Sequence, residues 1–268
     1  MKLKVDHVTR YHYDHPVRGV VQSHRLIPSR FTGQRVQKWD VTVSGGIKGG
    51  GFRDGGGDWV QAWSVPGPVS EISVRVQGIV ETKDLAGVLQ RHREVIPPVA
   101  WLRPTAPTRV DAALADLGHS VSADDTLALA HALSGAVADA IAYRPGATHA
   151  HTTAAEALAL GEGVCQDHAH ALIACARVRD LPARYVSGYL FASEDDTPHE
   201  AAHAWAEIWV EGLGWVGFDP SNRCCPDERY IRLGAGADAR EAAPIRGIAR
   251  GNGLESLDVT VAVDAVQQ

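Results

Sequence analysis

Behind Gly161-Glu-Gly-Val-Cys165-Gln-Asp-His, the apolar residues Ala169, Leu172, Ile173 and Ala176 recur at i, i+3, i+4 and i+7. That spacing predicts a helix beginning at Cys165 and running to about Arg179. Three segments then read as strands: Ala183 to Leu190, His203 to Val210, and Trp215 to Asp219. Strands following one another beside a helix favour an antiparallel sheet with helices on one side. The second half of the chain is therefore expected to be α+β.

The strand pattern also assigns faces. On the strand from His203, the residues His203, Trp205, Glu207 and Trp209 share one side, and Ala204, Ala206, Ile208 and Val210 share the other. Glu211-Gly212 offers a turn, and if Gly214 adds a one-residue bulge, Asp219 comes opposite Trp205 on the His203 face. Diagonal neighbours on one face lie about 7–8 Å apart, which Asp and His side chains can bridge. A slip of one residue would remove the relationship.

These positions carry chemistry. Gly161 and Gly163 allow a sharp turn into the helix. A thiol in the first helical turn meets unpaired N–H groups and the positive end of the dipole, which favour a thiolate. Cys165 is the candidate nucleophile, His203 the base that takes its proton, and Asp219 the acid that orients the base. The Cys165 N–H could face a developing oxyanion. Trp205, Trp209 and Trp215 are expected as core or as walls around the site, with Trp205 also a candidate substrate contact. Taken singly, each residue has an ordinary reading: a core cysteine, a satisfied histidine, a capped strand end at Asp219-Pro220-Ser221-Asn222.

Residues 1–82 read as a β-domain, through the alternation in Lys2 to Val8, Val36 to Val43 and Ile72 to Val80. Short strands with turn signals suggest a small sandwich or barrel. Gly45-Gly-Ile-Lys-Gly-Gly-Gly51 and Gly55 to Gly57 read as loops, since they lack the Lys-Ser/Thr ending of a phosphate cradle. Residues 83–108, with Pro97, Pro98, Pro104 and Pro107, form an irregular connector. The catalytic domain is expected over 109–232. It includes a helix from Ala123 to Tyr143 capped by Ser122, and a shorter one capped by Thr152 or Thr153 and ending at Leu160. Residues 233–268 return to a sheet through Leu257 to Val263.

Composition excludes some classes. A net charge of −6 and a pI of about 6.1 leave no basic footprint for nucleic acid. No stretch approaches the ~18 apolar residues of a membrane span. Charges interrupt Met1 to His7 too early for a signal peptide, so a cytoplasmic protein is expected. The four cysteines, Cys165, Cys175, Cys224 and Cys225, are too few for a disulfide scaffold and are expected to be reduced. His149, His151, His168, His170, His199 and His203 gather near Asp167 and Cys165, which makes a metal site the chemical rival. None has the spacing of a known zinc helix, and no calcium loop is visible, so no cofactor is implied.

Taken together, several motifs closely resemble one family. They are Gly163-Val-Cys165-Gln-Asp, Pro182-Ala-Arg-Tyr-Val-Ser-Gly-Tyr189, His203-Ala-Trp-Ala-Glu and Gly214-Trp-Val-Gly-Phe-Asp219-Pro. The chain resembles the bacterial transglutaminase-like family, described as cysteine proteases of the papain-like fold group. The resemblance runs from about Ile141 to Asn222. It extends to that family's N-terminal β-domain through Tyr11-His-Tyr, Pro16-Val and His24-Arg-Leu-Ile-Pro28. It implies a papain- or transglutaminase-like core with Cys165, His203 and Asp219 as nucleophile, base and orienting acid. Two departures stand out. Relatives often carry Gly-Arg-Asp-Tyr near the C-terminus, where this chain has Gly234-Ala-Gly-Ala-Asp238-Ala-Arg240. No tryptophan matches the one that supports the oxyanion in animal transglutaminases, and Tyr143 is the candidate donor in its place. The expected function is acyl transfer on a peptide or protein carboxamide through a thioester, with hydrolysis favoured because water is always present. Transamidation onto an amine, and a noncatalytic peptide-binding module, are the alternatives.

Overall fold

A computed structural model describes residues 1–191 and 201–266. His199 lies outside the described residues. The chain begins with β1 (Lys2–His24), β2 (Gln34–Val43), β3 (Ile47–Arg53) and β4 (Trp59–Thr82). After a 3-10 turn at Pro98–Leu102 come α1 (Ala112–His119), α2 (Thr126–Ala140), β5 (Ala142–Tyr143), α3 (Ala154–Leu160) and β6 (Glu162–Gly163). Then follow α4 (Cys165–Val178), β7 (Ala183–Leu190), β8 (Ala202–Val210), β9 (Gly214–Phe218), β10 (Tyr230–Gly236), β11 (Ile245–Ala249) and β12 (Glu255–Ala265).

The N-terminal part is one six-stranded antiparallel sheet built on the two long strands β1 and β4. β2 and β12 flank their outer halves, and β3 and β11 flank the halves nearer the turn to β2. Register shifts between His12 and Gly19 divide the two halves, as extra residues on one strand bend it locally. Leu3, Val5, Tyr11 and Tyr13 alternate into a buried layer with Ile72, Val74, Val76 and Val80 of β4. The C-terminal return thus closes back on β1, through both β11 and β12.

The second unit is a four-stranded antiparallel sheet in the order β10-β7-β8-β9, with α4 against it. α4 is buried over most of its length, from Asp167 to Ala176, and α1, α2 and α3 surround it. It packs on the Ala204, Ala206, Ile208 and Val210 face of β8. Fully burying Leu172 and Ile173 there contributes about 1.5–3 kcal/mol each. The architecture is α+β, as the strand order and helix periodicity predict.

Several local expectations change. The helix expected over Ala123–Tyr143 is α2, Thr126–Ala140, and its cap is Asp125, whose carboxylate accepts the Ala128 N–H at 2.8 Å. Ser122 stands three positions too early for that bond. Tyr143 leaves the helix for β5. α1 lies in a stretch with no clear helical period, and Asp111 caps it through the Leu114 N–H at 2.9 Å. Thr153 closes a full capping box with Glu156 at the start of α3. Gly45 to Gly51 is not wholly a loop, because Ile47–Arg53 is the edge strand β3. Glycines carry no side-chain alternation, so the period that marks a strand is invisible there. The expected boundary between residues 232 and 233 falls inside β10, a strand of the second sheet.

The two sheets are joined by buried polar groups. Arg232 of β10 pairs with Asp58 at 2.7 Å and with Glu207 of β8 at 2.8 Å, and Glu207 also takes Arg184 of β7 at 2.7 Å. Trp101 and Trp215 enclose the Arg184 guanidinium, with the Trp215 ring centroid 3.9 Å away. Trp209 packs edge-on against Trp215. Trp215 therefore houses this ionic cluster with Trp209 packed against it, so both serve as core, one of their two expected roles. Burial disfavours the Glu207 carboxylate, but Arg232 and Arg184 outweigh it and lower its pKa to about 2.

Candidate active site

Cys165 is the first residue of α4, half-buried, and is separated from β6 by Val164 alone. Gly161 ends α3 in the left-handed region at φ +71°, which glycine adopts without a side-chain penalty. Gly163 is needed for a different reason: a Cβ there would lie 2.8 Å from the Cβ of Asp167. Asp167 turns back to accept the Val164 N–H at 2.8 Å, and Thr148 donates to the same oxygen. One orphaned donor ahead of the helix is thus satisfied, while the Cys165 N–H, at the first helical position, has no intrahelical acceptor.

His168, one turn on, is held between two carbonyls, Val164 O at 2.9 Å and Ile141 O at 2.8 Å. It ties the start of α4 to the end of α2 and does not face the thiol. Tyr143 sits beside Gly163 in the short parallel β5–β6 pair, with its ring 6.3 Å from that of His168. It therefore flanks the segment that leads into Cys165.

His203 stands on β8 between Asp219, its hydrogen-bond partner, and Cys165, which lies near enough to shift its titration. In the β8–β9 hairpin Val210 pairs with Gly214 and Ala206 with Phe218, so Asp219, the next residue, falls across from Trp205. The His203 Nε2 meets the Asp219 Oδ2 at 2.6 Å. Burial works against a charged imidazole, yet the hydrogen bond to Asp219 and the nearness of Cys165 prevail and raise the His203 pKa to about 10. Burial likewise opposes the Asp219 carboxylate, and its bond to His203 with those from Ser221 and Asn222 drives its pKa well below the usual range.

Asp219 is itself anchored by groups the sequence did not single out. Its Oδ2 accepts the Tyr230 hydroxyl at 2.8 Å and the Asn222 side-chain amide at 2.7 Å, and its Oδ1 accepts the Ser221 hydroxyl. Ser221 and Asn222 stand in the turn already noted after Asp219. Tyr230 arrives from β10 with no local signal. Trp205 is 2% exposed. It stacks on His203 and meets Tyr230 edge-on, with centroids 5.5 Å apart. It backs the imidazole and offers almost no surface to a substrate, which corrects its expected role as a substrate contact. Tyr185 of β7 is a further neighbour of the site. Burial, and then the nearby charges of Cys165, Asp167 and Asp238, hold its phenol protonated far above the usual range.

The other thiols are chemically distinct. Burial pushes Cys175 up to about 12 and Cys225 up to about 11, and it raises Cys224 too. The histidines weighed as metal ligands scatter. His168 is held by carbonyls, His170 Nε2 accepts the Ala239 N–H at 3.0 Å, and His149 and His151 touch each other at the surface. Among the described residues, no three His, Cys, Asp or Glu side chains converge to hold a metal ion.

Residues 115–220 match the transglutaminase-like superfamily, and residues 3–81 match the bacterial transglutaminase-like N-terminal region. The chain belongs to the transglutaminase-like superfamily. This transglutaminase-like chain is 31% identical to an uncharacterised protein of Mycobacterium leprae (strain TN), over 98% of each. It is 42% identical to a second uncharacterised protein, from Mycobacterium tuberculosis (strain ATCC 25618 / H37Rv), over 46% of this chain and 42% of that one. Its fold is similar to a crystal structure from Cytophaga hutchinsonii, described as a putative cysteine protease. That similarity has a TM-score of 0.74 at 21% identity and covers 100% of this chain and 92% of the other.

Proposed function

We propose that the protein is a cysteine-dependent acyl transferase that hydrolyses a peptide or carboxamide bond. The observation that supports this most directly is the 2.6 Å contact between His203 and a carboxylate held by three side-chain donors, with Cys165 near enough to the same imidazole to raise its pKa. His203 takes the Cys165 proton, and Asp219 fixes the ring orientation and stabilises the charged ring. The sulfur adds to the substrate carbonyl carbon, and the oxygen becomes an oxyanion within reach of the Cys165 N–H at the helix start. Collapse breaks the C–N bond, with the His203 proton passing to the leaving amine and a thioester remaining. Water, deprotonated by His203, then attacks the thioester to release the acid and regenerate the thiol.

Tyr143 beside Gly163 fits a second oxyanion donor. A cytoplasmic location suits four unpaired thiols, and cell fractionation tests it. The substrate is read as a peptide or protein, with no role for nucleic acid or a membrane. An amine in place of water would give transamidation from the same thioester. Incubation with glutaminyl peptides, with and without a primary amine, separates the two by ammonia release and amine incorporation. Loss of both in Cys165→Ala is expected; product formation that survives this substitution would overturn the reading.

A further inference from the structure

Beside the nucleophile lies a cavity of about 890 Å³ that the chemistry above does not use. Gln166, next in sequence to Cys165, forms part of its wall, and His170 stands one turn further along α4. The space therefore adjoins the reacting thiol.

Its walls are cationic, although the chain as a whole carries −6. Arg25, Arg103, Arg240 and Arg246 all line it. The first two are already engaged: Arg25 with Asp54 at 2.9 Å, and Arg103 with Glu241, whose Oε2 lies at 2.7 Å. The two acids of the wall are engaged as well. Glu241 takes Arg103, and Asp238 accepts the Glu241 N–H at 2.8 Å. Arg240 and Arg246 have exposed side chains with no hydrogen-bond or ion-pair partner among the described residues. The surplus charge in this space is positive and unneutralised.

A second, independent feature points the same way. His170 is 1% exposed, and its Nε2 accepts the Ala239 N–H, so that nitrogen bears no proton. Burial lowers its pKa to about 4, so at neutral pH the ring is neutral and its single proton sits on Nδ1. That Nδ1 has no partner among the described residues. This donor is closed to solvent in the free chain, and an oxygen of a bound molecule that displaces its cover would satisfy it.

We infer that this cavity is a subsite for the carboxylates of an acidic peptide, whose scissile carbonyl then lies at Cys165. Arg240 and Arg246 meet Asp or Glu side chains, and the His170 Nδ1–H receives an oxygen of the same segment. The inference rests on the reading of Cys165 as the nucleophile, but binding in the cavity is separable from the chemistry.

Two measurements on the full chain keep them apart. The first compares alkylation of Cys165 by iodoacetyl-Glu-Glu-amide and by iodoacetyl-Gln-Gln-amide. The acidic reagent is expected to react roughly tenfold faster, as two exposed ion pairs allow. The preference should vanish in the Arg240→Gln/Arg246→Gln protein, with the rate of plain iodoacetamide unchanged. The second titrates acetyl-Glu-Glu-amide and acetyl-Gln-Gln-amide into the Cys165→Ala protein by calorimetry. Selective heat with the acidic peptide that the arginine substitutions abolish upholds the subsite, even if Cys165 proves unreactive. Equal behaviour of the two peptides, or selectivity that survives the substitutions, overturns it. Slow labelling of Cys165 together with selective binding would refute the catalytic reading alone.

Discussion

Asp219 Oδ2 lies 2.6 Å from His203 Nε2, and the same oxygen accepts the Tyr230 hydroxyl at 2.8 Å. The carboxylate that orients the imidazole is thus fixed from β10, a strand on the far side of β7 from β8. Tyr230→Phe keeps the packing on Trp205 and removes one donor to a charged acceptor, a loss of about 1.5–3 kcal/mol. The variant is expected to fold, with a lower melting temperature and alkylation of Cys165 slowed several-fold. Unchanged labelling kinetics at pH 6 would show that Tyr230 does not support the pair.

Thiol selectivity follows from burial. Cys175, Cys224 and Cys225 are all raised above the usual thiol range, so each presents little thiolate at neutral pH. Limited iodoacetamide treatment at pH 6, read by peptide mass mapping, is expected to modify Cys165 first. The His203→Ala protein should lose that preference while circular dichroism shows the fold retained. Earlier modification of Cys225 would contradict the assignment.

Stability should fall at both ends of the pH range, for opposite reasons. The His203 pKa is raised to about 10, so its contribution is complete below about 6.5 and is lost as pH rises through about 10. Glu207 is lowered to about 2, so its contribution is complete above about 4.5 and is lost as pH falls towards about 2. Melting temperature against pH should form a plateau between these limbs. Glu207→Gln should make the acid limb shallower, with the part due to Asp219 remaining, and leave the alkaline one in place.

The Arg184–Glu207–Arg232–Asp58 cluster joins the two sheets in a dry setting. Removing one member strands the others, which costs about 3–5 kcal/mol. Glu207→Ala should therefore destabilise the whole chain in urea far more than Arg75→Ala, which breaks the half-exposed pair with Asp6. Equal losses from the two would show that the buried cluster adds nothing special.

At Gly163, an added methyl would meet Asp167 at 2.8 Å, against the carboxylate that holds the Val164 N–H. Gly163→Ala is expected to displace the first turn of α4. Cys165 labelling should drop by at least about tenfold, with a melting loss of about 1–3 kcal/mol. Wild-type labelling in this variant would show that the turn tolerates the methyl.

Local rules made the helix from Cys165, the strands around it and the Asp219–Trp205 register legible, because side-chain period and turn length act over a few residues. The Gly45 to Gly51 segment shows their limit: its Ile47–Gly51 part pairs with β4, and glycine leaves no side-chain alternation to mark it. The start of α2 is not legible locally, because Ser122 and Asp125 both offer an acceptor there.

The sequence by itself determined the α+β class, the N-terminal β-domain and the candidate trio of Cys165, His203 and Asp219. Tertiary structure decided what surrounds them. Tyr230 on Asp219, Trp205 behind the imidazole, the tryptophan box around Arg184 and the arginine-lined cavity all join residues distant in sequence. Such contacts arise from burial and charge pairing between packed elements, and no local period encodes them.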